Sequence, residues 1–497
     1  MSYAERALTR TSLAGAAPAW TRPLLVGASL ALAGWPAAGR AQEPAPTPTA
    51  EAAAAQEPSP PETTPAPEPT LQQQIDDLQQ QLLVLQRKAE IAAEAEADKA
   101  ETGATVTANA KDGFSLKSND GNFTLRLRGY LQLDGRSFGN DPQDKSIDTF
   151  LIRRARPIFE GTIYKRFGFR LMPDFGTGAT LLQDAYLEWT FTPAAVLRAG
   201  KLKPPVGLER LQSASEITFV ERALPTGLVP NRDLGIQLGG QLAAGRLEYA
   251  VGVFNGVVDG GNVDPDTNDA KDVAARLWAS PWKATPSALS GLSFGLAATR
   301  GNQKGTLTAP ALAAYRTAGQ QTFFAYRADG TAAGTVLADG ERFRLSPQAA
   351  FYGGPLGVLA EYVRGRSDVR RGTTRATLDN TAWQVTALWV LTGENASFRW
   401  HAPKRGFDPT NTDAEKRGHG AFALTARYNA FAADEKSFPT FASSSSAQEA
   451  KGWAVGVDWT LQRLVRWLIN YEVTTFGGRG PARDDEKVLF TRFQLGW

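Results

Sequence analysis

FLIRRARPIFEGTIYKRFGFRLMPDFG, residues 150–176, and LLQDAYLEWTFTPAAVLRAGKLKPPVGLERLQSASEITFVERALPTGLVPNRDLGIQL, residues 181–238, decide how the chain folds. Apolar and polar residues alternate through both, and the second breaks into a turn-rich run of Lys, Arg, Ser and Pro. Period two is the signature of a strand with one face against an apolar phase and the other against water. A basic, non-periodic insert between such strands reads as a loop presenting positive charge. The pattern predicts a transmembrane β-barrel whose wall and inward-folded loop offer cations to a passing anion.

The alternation recurs on both sides of this stretch. In Phe123–Asp134, Phe123, Leu125, Leu127, Gly129, Leu131 and Leu133 form one face, while Thr124, Arg126, Arg128, Tyr130, Gln132 and Asp134 form the other. Phe167–Met172, Asp184–Trp189, Leu234–Leu238 and Leu247–Val253 repeat it. Further strands are expected near 272–280, 291–300, 342–353, 356–366, 381–392, 396–401, 419–431, 451–461, 465–476 and 487–497. A single such strand fits a soluble antiparallel sheet as well as a membrane barrel. A long series of them is a barrel signal. At about 24 residues per strand plus connection, residues 111–497 hold about 16 antiparallel strands. The last of these, KVLFTRFQLGW, puts Leu489, Thr491, Phe493, Leu495 and the terminal Trp497 on one face, the kind of ending that outer-membrane barrels carry.

The N-terminal part has a different composition. Arg6, Arg10 and Arg22 precede an apolar core at Leu24–Leu32, and small residues at Gly39 and Ala41 fit a cleavage site, so residues 1–41 are expected to be a signal peptide. Residues 42–69 are Pro-, Ala-, Glu- and Thr-rich and predict a disordered, extended linker. In 70–102, Leu71, Ile75, Leu78, Leu82 and Leu85 follow a heptad seam, which predicts a short periplasmic coiled coil. Its apolar part covers two to three heptads, too little to hold alone.

Composition excludes several function classes. The 497 residues include no cysteine and only His401 and His419, which leaves little for a disulfide scaffold, a metal centre or histidine-dependent catalysis. Neither histidine has a serine or acid at catalytic spacing, so no enzyme, no cofactor and no metal is expected. The net charge of +3 conceals a split: residues 1–110 hold 7 basic and 13 acidic residues, the remainder 47 and 38. The basic residues lie within alternating strands and one loop rather than on a single helix or face, which favours a lumen over a nucleic-acid surface.

Four segments together resemble the phosphate-selective porin O/P family: Arg153-Arg154-x-Arg156, DAYLEW, GKLKPPVGLERLQS and FVERALPTGLVPNRDLGIQL. The likeness is densest over Phe150–Leu238 and thinner from there to Trp497. The Pro-rich stretch and the heptad helix lie outside it. The resemblance implies an outer-membrane homotrimer of barrels, each narrowed by its third long loop, here about Lys201–Arg232. It also implies that inorganic phosphate or a similar anion is the transported solute. Wall arginines matching the family motif are Arg153, Arg154 and Arg156. Period two puts Arg154 and Arg156 on the lumen face and Arg153 on the other, where it snorkels or pairs with a carboxylate. The loop cations are Lys201, Lys203, Arg210, Arg222 and Arg232, with Ser213 and Ser215 as neutral donors. Asp174 and Asp184 are candidate counter-charges, and Glu209 and Glu221 place acids inside the loop itself. Successive moderate sites suit conduction better than one deep site. Two other readings stay open: a weakly selective general porin, in which acids and bases face each other across the constriction, and an envelope tether in which the coiled coil acts and the barrel anchors it.

Overall fold

The computed structural model describes residues 70–109, 113–139, 146–266, 268–413 and 417–497. The expected signal peptide and Pro-rich linker lie outside them.

Sixteen antiparallel strands close into one barrel. They are β1 (Phe123–Gly139), β2 (Thr149–Ile163), β3 (Phe167–Asp174), β4 (Leu181–Thr192), β5 (Ala195–Leu202), β6 (Asp233–Leu242), β7 (Leu247–Phe254) and β8 (Asp272–Ala279). The remainder are β9 (Leu292–Lys304), β10 (Val336–Gly353), β11 (Leu356–Arg371), β12 (Thr374–Val390), β13 (Ala421–Ala432), β14 (Glu449–Gln462), β15 (Val465–Gly477) and β16 (Glu486–Gly496). Each strand pairs with its sequence neighbours, and β16 pairs with β1 through Phe490↔Arg136 and Gln494↔Gln132, so no edge is left in the ring. Closure satisfies every ladder of backbone donors and acceptors, which is what a lipid phase demands of a sheet. A further hairpin, Ala104–Asn109 with Gly113–Ser118, adds to β1 beyond the end of β16.

Alternation positions the side chains as the sequence predicts. On β16, Leu489, Phe493 and Leu495 point outward and are exposed, while Val488, Phe490 and Arg492 point inward and are buried. The indole of Trp497 lies over Gly129, where a Cβ would meet a ring carbon at 2.3 Å, so only glycine fits beneath it. Outward aromatic residues form two belts. Tyr362, Trp383, Tyr428, Trp453 and Tyr471 lie nearer the end with the longer loops, and Trp389, Phe422, Trp459 and Trp467 lie nearer the other. Such belts mark the two interfaces of a membrane.

Helix α1 (Leu71–Thr102) forms where the heptad seam predicts it. Leu71, Ile75, Leu78, Leu82 and Leu85 are all exposed in the single chain. One expected strand is absent: residues 396–401 belong to a long connection between β12 and β13. Pro403 lacks the N–H a ladder needs and Gly393 sits at φ 82°, so SFRWH between them has no partner strand to extend.

Candidate functional site

The connection from β5 to β6, residues 203–232, folds into the lumen and is fixed there by wall side chains. Gly207, at φ 78°, turns the chain into the one-turn helix α2 (Leu208–Leu211). The free N–H groups of Leu208 and Glu209 donate to the Glu361 carboxylate on β11 at 2.6 and 3.4 Å. Gln384 of β12 then donates to both Glu361 (2.7 Å) and Glu209 (3.1 Å), joining loop and wall. Farther along, Val220 N donates to Asn470 (2.8 Å) and Leu224 N to Asn429 (3.1 Å). Each contact replaces a backbone partner that an irregular segment lacks.

Glu221 is the electrostatic anchor. Arg153 Nε reaches it at 2.5 Å and Arg136 at 3.0 Å, with Arg154 at 3.7 Å and Arg492 at 4.0 Å. Burial works against its charge, yet Arg153 and then Arg154 hold the carboxyl well below the usual range. The expectation that Arg153 points away from the lumen is corrected here. β1 pairs Gln132 with Arg154 and Leu133 with Ile152, so Arg153 is the extra residue of a β-bulge. The bulge breaks strict alternation and lets Arg153 and Arg154 reach the same acid.

The other wall residues of the motif are equally occupied. Arg154 donates to Gln132 at 2.8 Å and Arg156 to Asp174 at 2.7 Å and the Tyr130 hydroxyl at 2.9 Å. Arg154 and Arg156 are buried. Asp184 bridges Arg232 (3.0 Å) and Arg170 (3.2 Å). Asp174 and Asp184 are therefore braces for arginines.

Lys201 departs from the predicted geometry. Its ladder partners are Ala185 and Leu234, which share the outward face with Leu187 and Ile236. Its ammonium pairs with Asp264, in the loop after β7, and is buried there. Lys201 ends a strand on the outer face instead of opening the loop.

Lys203, Arg210 and Arg222 are different again. Lys203 Nζ donates to the carbonyls of Leu211 (3.1 Å) and Gln212 (2.6 Å). Arg210 donates to Thr226 O (2.5 Å) and Asn231 (3.3 Å), and Arg222 to Glu209 O (3.2 Å) and Gln212 O (2.8 Å). Among the described residues, none of the three has a carboxylate within 4 Å. Burial lowers the pKa of Lys203 well below its ordinary value, and the charges of Arg232 and Arg222 add to that effect. Arg210 is lowered by burial and then by Arg222 to about 9. The loop thus gathers like charges that are half-buried and bonded to carbonyls and an amide.

Cavities of about 650 and 460 Å³ open beside this cluster. The larger is lined by Lys203, Arg170, Arg198, Arg276 and Tyr186. The smaller is lined by Ser213 and Ser215, with Arg128, Arg170 and Arg399. The two serine hydroxyls bond each other at 2.8 Å. Arg276 and Arg399 have no counterpart in the sequence-based set. Arg276 was legible as a lumen position in the alternating run Val273–Trp278, whereas Arg399 lies outside any strand.

Two more segments narrow the lumen. Residues 305–335 bring Tyr315, Phe323 and Phe324 against Val206, Leu228 and Val229 of the loop and Val363, Leu378 and Phe431 of the wall. From the opposite end, the 391–420 connection reaches inward until Phe398 O accepts from Gln212 Nε2 at 2.6 Å. The sequence predicts one inward loop, and the described residues bring at least two further segments inward. His401, in the last of them, is buried with Nε2 3.3 Å from the Thr460 hydroxyl, and the His419 carbonyl accepts from Trp459.

A closed 16-stranded barrel with aromatic belts and a lumen narrowed by its own loops is a porin-type channel of the bacterial outer membrane. Residues 123–497 match the family described as phosphate-selective porin O and P, and the chain belongs to it. Porin O of Pseudomonas aeruginosa is 28% identical over 127 residues, which are 24% of this chain and 29% of that protein. The chain thus matches less than a third of that curated relative's length. OmpT of Vibrio cholerae, in its trimer form, is similar at a TM-score of 0.48 and 11% identity, over 76% of this chain and 99% of that one. The outer-membrane channel DcaP of Acinetobacter baumannii gives the same figures. The anion-selective porin from Comamonas acidovorans gives a TM-score of 0.47 and 9% identity over 76% and 100%.

Proposed function

We propose that the protein is a passive diffusion channel that prefers anions of the phosphate class and carries out no chemistry. The observation that carries this reading is the group Lys203, Arg210 and Arg222, three half-buried cations of the inward loop, with Lys203 lining the larger cavity, and none with a carboxylate partner among the described residues. Charges held this way are partly desolvated and mutually repelling, so an anion entering the constriction is stabilised by all three. Arginine offers a planar fork to phosphate oxygens and lysine a compact charge. Arg232, Ser213 and Ser215 extend the path on either side, and carbonyl-satisfied donors can exchange a carbonyl for a passing anion without binding it deeply. Arg154 and Arg156 act as braces in this reading and set the field rather than contact the solute. The family's description supports the substrate class.

The exposed heptad face of α1 supports a homotrimer held partly by a coiled coil, with the N-terminal segment on the periplasmic side and the long loops outside. Single-channel recording across a salt gradient, followed by titration of phosphate against chloride current, tests the channel reading. An anion-selective reversal potential with block by phosphate supports it. A second reading, a weakly selective porin, is favoured by the many neutralised wall arginines, such as Arg156–Asp174 and Arg492–Asp134. It predicts little selectivity and no phosphate block.

A further inference from the structure

The β11–β12 hairpin rises from the barrel at the end with the longer loops and carries RGRSDVRRGTTR, residues 364–375. Tyr362, Arg364 and Arg366 form one outward column on β11, opposite Trp383, Thr381 and Asp379 of β12. On the other side β10 sets Leu345 beside Arg364 and Phe343 beside Arg366, and β9 sets Arg300 beside Phe343. Tyr362, Trp383 and Tyr428 belong to the aromatic belt at this end, with Trp383 and Tyr428 ring centroids 5.4 Å apart. At about 3.4 Å per residue, Arg364 and Arg366 lie about 7 and 14 Å farther along the strand. With a tilt of about 40°, that is about 5 and 10 Å beyond the belt, within the headgroup layer.

Most cations here are already engaged. Arg364 forks onto Asp379 at 2.9 and 3.0 Å, Arg300 bonds Glu341 at 2.5 Å, and Arg370 and Arg375 share Asp339 at 3.1 and 2.7 Å. Arg366 is exposed on the same face and has no carboxylate within 4 Å among the described residues. An open guanidinium over apolar Phe343 and Leu345 matches an anionic headgroup above acyl chains.

We propose that Arg366, flanked by Arg364 and Arg300, binds a phosphate of a phosphorylated glycolipid in the outer leaflet. The guanidinium takes two phosphate oxygens, and the acyl chains pack along Phe343, Leu345 and Tyr362. This inference rests on the reading that the long loops face outward, not on anion transport.

The test titrates full-length protein in detergent micelles with bisphosphorylated lipid A and reads occupancy by native mass spectrometry. Wild type should retain lipid A in preference to its dephosphorylated form. Arg366→Gln should bind about tenfold more weakly, and Arg366→Lys should keep most of the affinity. Single-channel conductance should stay unchanged in both, which also shows that they fold. Equal binding by Arg366→Gln, or no preference for the phosphorylated lipid, overturns the proposal. So does efficient disulfide cross-linking of Arg366→Cys between copies, because the face is then a protein interface. Labelling of Thr373→Cys on intact cells by an impermeant maleimide separates the two readings. Labelling together with failed lipid binding sinks the lipid site alone, and absence of labelling sinks the orientation and the site with it.

Discussion

Arg153 and Glu221 are 68 residues apart in sequence, and Arg153 Nε lies 2.5 Å from the Glu221 carboxylate. This contact fastens the inward loop to β2, and the bulge at Arg153 makes it possible. Arg136, Arg154 and Arg492 surround the same acid, so removing it leaves several cations facing one another in a partly dry lumen. Glu221→Gln should destabilise the folded barrel by about 3–5 kcal/mol, the usual cost of orphaning a buried charge. It should also free the loop and broaden the distribution of open-channel conductances. Thermal unfolding by circular dichroism and single-channel histograms check both outcomes. Unchanged conductance together with unchanged stability would remove Glu221 as the anchor.

Lys201 and Lys203 are two residues apart and have opposite roles. Lys203 donates to loop carbonyls beside the cavity, while Lys201 pairs with Asp264 from the outward face. Lys203→Glu should shift the reversal potential toward cations and reduce phosphate block by about tenfold or more, because it inserts a repulsive charge in the path. Lys201→Gln should leave selectivity within about twofold of wild type and act on the loop after β7. Equal effects of the two substitutions would place both in the path or neither.

Anion preference should depend on pH in a defined direction. Burial, then Arg232 and Arg222, push the Lys203 pKa below its ordinary value. Lys203 is charged below its shifted pKa and neutral above it. Anion selectivity should therefore fall as pH rises, beginning well before an exposed lysine would titrate. The Lys203→Arg channel should stay anion-selective over the same range. Reversal potentials between pH 7 and 10.5 measure this, and identical profiles for the two channels would exclude Lys203 as the titrating group.

The leucine seam of α1 should matter for assembly and not for conduction. Leu78→Asp with Leu82→Asp places charges on the exposed heptad face and should reduce the trimer fraction seen by analytical ultracentrifugation in mild detergent. The barrel should still conduct. A chain without residues 42–100 should still conduct; the tether reading predicts that this deletion alters the cell envelope while channels persist, and an unchanged envelope would sink it.

The sequence by itself determined the barrel, its approximate strand number and the outward face of the regularly alternating strands. Period two is a local property, and a membrane turns it directly into a choice of side. It also marked the inward loop, as about 201–232, because a basic run rich in Pro and Ser cannot continue a strand. It reached the candidate cations Lys203, Arg210, Arg222 and Arg232 as residues, though not their partners. Only the tertiary structure decided which charges are spent. Arg154 and Arg156 read identically to free lumen cations until the inward loop brings Glu221, and the neighbouring strand Asp174, to them. Arg153 could be assigned a side only once the bulge opposite Gln132 and Leu133 was seen, since one inserted residue reverses every inference from alternation. The aromatic contacts that pull residues 305–335 inward, and the reach of Phe398 to Gln212, join segments more than a hundred residues apart. Periodicity carries no information across such distances, and the closure of the ring supplies it.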